Sequence, residues 1–356
     1  MGRLHFHRCG NFRDSYHQEL RIFETDFGRM WMCIGIFFLF AVLPFVSSSY
    51  LLYIINTIGI YAIVAIGLNI LTGTTGLISL GHGALFGVGA YSAAILTTKA
   101  GFPFLVAVPA SGLITVAIGI IFGLPSTRLK HLYLIIATLA GQFIIEYVLM
   151  QWEGLTGGAM GIYVTNVSIL GFDIISERTF FYIIYIFLVF FTWIAVNLLR
   201  SSYGRAFIAI RDNEQAAVGM GINLFPYKLL SFAISSFYAG IAGALYTYYT
   251  MSITPEPFNL WLSIEFIAMI IIGGMGSVTG AVFGAIFITA LNEILNNLVQ
   301  VLMNIEAFSE FALTIAPIQS FIYGLAIVLF IIFEPMGLAQ IWHRVRNSFR
   351  LWPFSY

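Results

Sequence analysis

Long runs of apolar residues, separated by short stretches of charged residues, proline or glycine, recur along most of this 356-residue chain. An α-helix needs about 20 apolar residues to cross the hydrocarbon core of a bilayer. Within that core every backbone N–H and C=O must find a partner inside the segment, and a helix meets this requirement. The runs lack the alternation of apolar and polar residues that strands of a membrane β-barrel show. The sequence therefore predicts an all-α protein, a polytopic transmembrane helical bundle in a lipid bilayer.

The apolar runs predict about ten membrane segments, with glycine-broken helices among them. Their bounds lie near residues 31–48, 50–72, 84–99, 103–124, 131–151, 179–199, 229–250, 262–280, 281–303 and 311–333. The region 260–303 is the hardest to divide, because its glycines are typical of a re-entrant or broken helix. The bundle thus occupies residues 31–335, between an N-terminal extension, 1–30, and a C-terminal tail, 336–356.

The basic residues divide unevenly between the two sides of this bundle. If the N-terminus is cytoplasmic, every lysine and arginine except Lys99 and Arg178 falls in the inner loops. An excess of basic residues on the cytoplasmic side is the pattern that orients membrane proteins. We therefore expect both termini in the cytoplasm. The arginine-rich extension resembles an oversized signal peptide, but its length and the full-span run behind it favour an uncleaved first helix.

Several kinds of chemistry lack their residues in this chain. The histidines form no HExxH or HxxxH pair that could hold a metal, and two cysteines, Cys9 and Cys33, indicate no disulfide framework. No Gly-Lys pair opens a helix, so the chain has no P-loop and ATP-Mg would have to be bound by another subunit. A net charge of zero, without a basic stripe, gives no indication of nucleic-acid binding. We expect a non-enzyme that binds no cofactor itself.

Ionisable residues within membrane segments are costly and are therefore functional candidates. Glu146 and Glu265 are the two carboxylates of this kind. Each side chain reaches the outer interface on one interpretation and lines a substrate path on the other, and the sequence does not separate the two. His82, between Gly81 and Gly83, is more typical of a packed or pore-lining residue than of a metal ligand.

Two glycine-dense stretches, residues 71–81 and 272–277, precede the similar segments 83–87 and 280–284. Interrupted helices at corresponding places indicate a transporter binding site, because unwound backbone and half-helix N-termini can hold substrate charge. Close packing of helices through Gly-xxx-Gly spacing is the alternative. On the first interpretation the substrate path contains Gly76, Ser79, His82, Glu146, Glu265, Gly273 and Gly274.

A charged, helix-forming segment, Gly204–Ile222, stands between two apolar runs. A single helix over 204–221 would bring Ala206, Ala217 and Gly221 near one face. Small residues on one side of a helix allow it to enter a shallow groove of a soluble partner, and charged side chains fix the register. A helix resting on lipid is the alternative, which Asp212 and Glu214 fit poorly.

Motifs with a recognisable order run from about residue 50 to about residue 340. They include Gly67-Leu68-Asn69, Ser79-Leu80-Gly81-His82, Leu155-Thr156-Gly157-Gly158, Gly204-Arg205-Ala206, Ile210-Arg211-Asp212-Asn213-Glu214, Ser263-Ile264-Glu265, Gly273-Gly274 and Pro335-Met336-Gly337-Leu338. In this order they resemble the permease subunits of branched-chain amino acid ABC importers. The resemblance implies a bacterial inner-membrane importer of leucine, isoleucine and valine, with a second homologous permease subunit, two ATPase subunits and an extracytoplasmic substrate-binding protein.

The resemblance also implies that residues 204–221 are a coupling helix that contacts the ATPase subunits. The residues carried over to this role are Arg211, Asp212, Asn213, Glu214, Ala217 and Gly221. Similar permeases move urea or short amides, so the substrate stays open at this point. Two other classes remain as alternatives: a stand-alone ion-coupled secondary transporter that uses Glu146 or Glu265, and a membrane scaffold without transport.

Overall fold

Long helices connected by short loops make up most of the structure, a computed structural model. It describes residues 30, 35, 40, 43–127, 131–164, 168–169, 172–173, 176–303, 312–334, 337–342 and 344. All but the last residue of the predicted N-terminal extension, most of the predicted first span and most of the predicted C-terminal tail lie outside the described residues.

The helices follow the apolar runs of the sequence, because each run satisfies its backbone hydrogen bonds internally. In chain order they are α1 (Leu43–Val46), α2 (Ser49–Leu68), a π-helix (Asn69–Thr74), α3 (His82–Thr98), α4 (Phe104–Gly123), a 3₁₀ turn (Leu124–Thr127), α5 (His131–Gln151), α6 (Glu153–Thr156), a 3₁₀ turn (Gly158–Met160), α7 (Glu177–Arg200), α8 (Ser202–Asp212), α9 (Glu214–Gly219), α10 (Leu224–Thr250), a 3₁₀ turn (Glu256–Phe258), α11 (Leu260–Gly273), α12 (Val278–Met303) and α13 (Ala312–Phe333). The strands are β1 (Ile162–Tyr163), β2 (Ser168–Ile169), β3 (Phe172–Asp173) and β4 (Ser252–Ile253).

Within the described part of the chain, six helices are long and apolar enough to cross a membrane. They are Ser49–Thr74, Phe104–Gly123, Tyr133–Gln151, Glu177–Arg200, Leu224–Thr250 and Val278–Leu298. Helix α3 has only 17 residues, and α11 and the apolar stretch Phe321–Phe330 are also shorter than a full span. The structure confirms an all-α chain with several membrane-length helices. It does not confirm the predicted count of about ten segments or the predicted glycine-broken spans.

Helix α10 lies at the centre of the bundle and packs against α4, α3 and α2. Glycines permit this contact, because a Cβ added to Gly89 would lie 2.4 Å from the Cα of Gly240. A Cβ added to Gly243 would lie 2.1 Å from the carbonyl oxygen of Phe86. Small residues let membrane helices approach at the backbone, so close packing explains this group of glycines.

Polar contacts gather at the two ends of the bundle. At one end β1 pairs antiparallel with β4, and the Nζ of Lys99 donates to the carbonyl of Gly154 at 2.6 Å. At the other end α8 and α9 lie against the π-helix and the start of α10. The predicted topology likewise places residues 152–178 and 251–261 on one side and residues 200–228 on the other.

The predicted helix 204–221 is divided in the structure into α8 and α9. Asn213 separates them with extended backbone angles, φ −162° and ψ 109°. Its side-chain Oδ1 accepts hydrogen bonds from the backbone N–H groups of Gln215 and Ala216, both at 3.0 Å. An asparagine that caps a new helix in this way ends the preceding one, because the cap residue cannot keep helical angles.

We predict that Gly243→Ala destabilises the protein by about 1–3 kcal/mol, since the new methyl group overlaps the α3 backbone and forces α3 and α10 apart. Gly324→Ala in α13 is the matched control, because a Cβ there meets no atom within 4 Å. Thermal unfolding of the two purified variants in detergent measures the difference. Equal midpoints would show that α3 and α10 are not held at backbone contact.

Candidate functional site

Helices α8 and α9 present one face to the bundle and one to the surface. Gly204, Ala206, Phe207 and Ile210 of α8 are buried within the chain, as is Ala217 of α9. The face that the sequence predicts for a partner groove is therefore largely occupied by the protein itself. Gly221 is exposed and has a positive φ of 83°.

Exposed apolar side chains on this segment escaped the sequence analysis. Met220 is 85% exposed and Val218 is 54% exposed, while Ile208 of α8 is exposed to a smaller extent. A projection of a single helix does not include the break at Asn213, after which α9 begins as a separate helix. The signal that could have found the break is Asn213 itself, a favoured N-cap residue followed directly by Glu214.

The predicted docking charges make contacts inside the chain. The Nη1 of Arg211 donates to the carbonyl of Gly73 at 2.9 Å, and its Nε donates to the Oδ1 of Asp212 at 3.1 Å. The carboxylate of Glu214 pairs with the Nζ of Lys228 at 2.7 Å, and Lys228 is only 3% exposed. Lys228 was missed as a partner because it lies fourteen positions further along the chain.

The two glycine-dense stretches meet at the same end of the bundle. The Nδ2 of Asn69 donates to the carbonyl of Ser277 at 2.9 Å, and its Oδ1 accepts from the N–H of Gly276 at 2.8 Å. Gly76 packs against the side chain of Arg211, to which an added Cβ would come within 3.0 Å. The predicted path residue Gly76 thus lies beside the surface helices.

Gly273 and Gly274 lie next to this meeting point and serve backbone packing. A Cβ on Gly273 would lie 2.0 Å from the carbonyl oxygen of Gly280. Gly274 has a φ of 110° and closes α11. A side chain at Gly337 would reach to 2.6 Å from the Gly274 nitrogen. These contacts join α11, α12 and the segment after α13 at one end of the bundle.

A second polar cluster lies deeper in the bundle around His82. The ring is fully buried; its Nδ1 lies 3.1 Å from the Oγ of Ser79 and its Nε2 lies 2.6 Å from the Oγ of Ser235. The structure thus brings the predicted residues Ser79 and His82 together. The described residues contain no group of His, Cys, Asp and Glu that could hold a metal ion.

The N-terminus of α3, which the sequence predicts as a site for substrate charge, is occupied by side chains. The N–H of Gly83 donates to the Oγ of Ser263 at 2.7 Å, and the N–H of Ala84 donates to the Oε1 of Gln142 at 2.7 Å. Ser263 also donates to Gln142 at 2.9 Å. Both side chains cap backbone groups that a membrane helix must satisfy.

The two carboxylates lie on separate helices. Glu265 of α11 is 7% exposed, and its Oε1 accepts a hydrogen bond from the Nδ2 of Asn292 on α12. Among the described residues, the buried hydroxyl of Tyr323 has no hydrogen-bond partner. Glu146 of α5 is half-buried, and its Oε2 likewise has no hydrogen-bond partner in the described part of the chain.

The comparisons with known proteins fit this architecture. A family described as "Branched-chain amino acid transport system / permease component" matches residues 50–332. The chain belongs to this family. The match includes every predicted site residue, from Gly76 to Gly274, and excludes the N-terminal extension. No solved structure matches the chain.

The chain is similar to curated proteins whose names give branched-chain amino acids as the substrate, and to others whose names give autoinducer 2. The high-affinity branched-chain amino acid transport system permease protein LivM of Escherichia coli (strain K12) is 30% identical over 83% of this chain and 71% of its own length. The probable branched-chain amino acid transport permease protein LivM of Methanocaldococcus jannaschii is 28% identical over 66% of this chain and 67% of its own length. The autoinducer 2 import system permease protein LsrC of Salmonella choleraesuis is 26% identical over 55% of this chain and 57% of its own length.

We predict that Glu214→Gln lowers the free energy of unfolding by about 2 kcal/mol, because it leaves the buried ammonium of Lys228 without its carboxylate. Asp212→Asn is the matched control and should cost less than about 1 kcal/mol, since the Arg211–Asp212 side chains are 39% and 62% exposed. Thermal unfolding in detergent compares the two variants. A control that unfolds as early as Glu214→Gln would contradict the assignment of Lys228–Glu214 as the structural pair.

Proposed function

We propose that this chain is the transmembrane permease subunit of an ABC importer that translocates branched-chain amino acids by ATP-driven alternating access. The observation that carries the proposal is the α8–α9 segment: surface helices with exposed apolar side chains, in a permease-family chain that has no P-loop. Energy from ATP must therefore enter through a partner, and this segment offers the partner a surface.

The partners follow from this arrangement. Two ATPase subunits supply ATP-Mg and hydrolysis, and one of them binds α9 through Val218 and Met220. A second homologous permease completes the membrane portion, and an extracytoplasmic binding protein delivers substrate at the β1–β4 end. The excess of basic residues places the α8–α9 end and both termini in the cytoplasm, in the inner membrane of a bacterial-type cell.

The predicted coupling residues take different parts in this proposal. Asp212 and Gly221 remain exposed on the docking segment. Asn213 sets the angle between α8 and α9 through its cap. Ala217 packs α9 inward, and Glu214 fixes α9 to α10 through Lys228.

A branched-chain amino acid brings an apolar side chain and two opposite charges. The apolar bundle suits the side chain, and the His82 cluster with Gln142 and Ser263 supplies hydrogen-bonding groups within it. In our proposal the substrate carboxylate takes the place of the Gln142 and Ser263 side chains at the Gly83 and Ala84 N–H groups. These N–H groups already donate to side-chain oxygens at a helix N-terminus, where negative charge is favourable.

We propose that the remaining predicted path residues line the same substrate path. Glu265 with Asn292 offers a negative group for the substrate ammonium, and Glu146 is a second carboxylate on α5. Gly76, Gly273 and Gly274 lie where the route reaches the α8–α9 end. ATP and substrate must each bind one conformation better than the other for hydrolysis to move the substrate.

We predict that Met220→Glu weakens binding of the ATPase subunits by about tenfold or more, because it places a charge in the apolar centre of the docking surface. Met160→Glu is the matched control, since Met160 is also 85% exposed and lies in the loop at the opposite end. Co-purification of the ATPase subunits with each membrane-inserted variant measures the effect. Equal binding by both variants would remove α9 from the docking surface.

We predict that vesicles holding the complete complex take up labelled leucine only with hydrolysable ATP and binding protein. The chain alone should show no uptake, because it has no site for ATP hydrolysis. Uptake by the isolated chain in nucleotide-free vesicles would overturn the proposal and favour an ion-coupled transporter. ATP-dependent uptake of a short amide or urea without leucine uptake would overturn the substrate assignment alone.

A further inference from the structure

Helix α2 does not end at Leu68 but continues as a π-helix over Asn69–Thr74. Such segments are rare and occur frequently at functional sites, because their hydrogen bonds are less favourable than those of an α-helix. All six residues of this one are buried. The carbonyls at the end of a helix have no partner within the helix and must be satisfied from elsewhere.

Asn69 joins this π-helix to the loop between α11 and α12. Its side chain is 1% exposed and bonds Gly276 and Ser277 through both of its polar atoms. The backbones are in direct contact, since a Cβ on Gly73 would lie 2.4 Å from the nitrogen of Gly276. Both interruptions of the bundle therefore meet at one amide side chain.

Arg211 adds the surface helices to the same meeting point. Its guanidinium bonds the Gly73 carbonyl at 2.9 Å, and a Cβ on Gly276 would lie 3.4 Å from its Nη1. A cation that bonds a terminal carbonyl of a helix is favourable both as a charge-assisted hydrogen bond and in the field of the helix. We name Asn69, Gly73, Arg211, Gly276 and Ser277 the Asn69 network.

The segment α8–α9 is thus tied to two different parts of the bundle. Arg211, in the last turn of α8, holds the end of α2 and the α11–α12 loop. Glu214, in the first turn of α9, holds α10 through Lys228. Only Asp212 and the extended residue Asn213 separate these two attachments. A displacement of α9 would therefore act on two separate contacts, one with α10 and one with the Asn69 network.

We propose that Arg211 is a positioning residue that transmits movement of α8–α9 to both interrupted helices, with Asn69 as the branch point, and that it does not bind the ATPase subunits. This inference rests on the proposed function. It differs from a docking role for Arg211, because the Nη1 of this partly exposed side chain donates to the Gly73 carbonyl within the chain. When the Arg211 side chain is shortened, a docking role predicts loss of ATPase binding, whereas a positioning role predicts loss of uptake per ATP.

The test uses Arg211→Gln in the complete complex with ATPase subunits and binding protein. We expect ATPase co-purification and ATP hydrolysis within about twofold of the unchanged complex, while leucine uptake per ATP falls by about tenfold, the factor for one charge-assisted hydrogen bond. Arg211→Lys, which keeps a cationic donor, should restore part of the uptake. Lys99→Gln is the matched control, because Lys99 also donates to backbone carbonyls, at the opposite end.

Two further variants test the branch point. Gly76→Ala pushes a methyl group against the Arg211 side chain and should reproduce the uncoupling without removing the guanidinium. Asn69→Ala should also uncouple, and the double variant with Arg211→Gln should lose no more uptake per ATP than the more severe single variant, as expected for groups in one network.

The outcomes separate this inference from the proposed function. Loss of ATPase co-purification in Arg211→Gln, to the extent seen in Met220→Glu, would place Arg211 on the docking surface and overturn the inference. Unchanged uptake per ATP in Arg211→Gln would overturn it as well. An unchanged complex that shows no ATP-dependent uptake would instead reject the proposed function itself.

Discussion

Backbone groups released by interrupted helices must find partners inside the bundle, and this constraint governs the polar architecture of the protein. Lipid offers neither donor nor acceptor, so each free N–H or C=O costs several kcal/mol unless a side chain replaces water. Asn69 serves the α11–α12 loop, Gln142 and Ser263 serve the start of α3, and Arg211 serves the end of the π-helix. The polar side chains of the interior are therefore largely partners of backbone.

The same constraint explains why these places are suited to transport. A cap made by a side chain is exchangeable, whereas a hydrogen bond within a helix is not, because breaking the latter unwinds the chain. In the proposed function the Gly83 N–H exchanges its Ser263 partner for the substrate carboxylate. Side chains that bond backbone groups in this way are found in two places, near His82 and in the Asn69 network.

The sequence predicts the helices well and their partners poorly, for separate physical reasons. Apolar runs determine helices because membrane backbone must be satisfied locally. The count of about ten segments is not confirmed, because α3 and α11, with 17 and 14 residues, are shorter than a full span. The division at Asn213 is a local signal that a single-helix projection overlooks. The inward direction of Arg211 and its contact with Gly73 depend on tertiary packing across many residues of chain, which no local pattern contains.

Residue type alone does not show which side chains of the charged segment between α7 and α10 are available to a partner. Charged residues in an apolar chain suggest contact with a partner. Here Arg211 donates to the Gly73 carbonyl and Glu214 pairs with Lys228, both within the chain. The exposed residues of α9 include the polar Gln215 and the apolar Val218, and the exposed Met220 follows at its end. An apolar docking surface supplies affinity, while the charged anchors behind it hold α8 and α9 to separate helices. In the proposed function these two contacts, which flank the non-helical residue Asn213, transmit movement of the docking surface to the bundle.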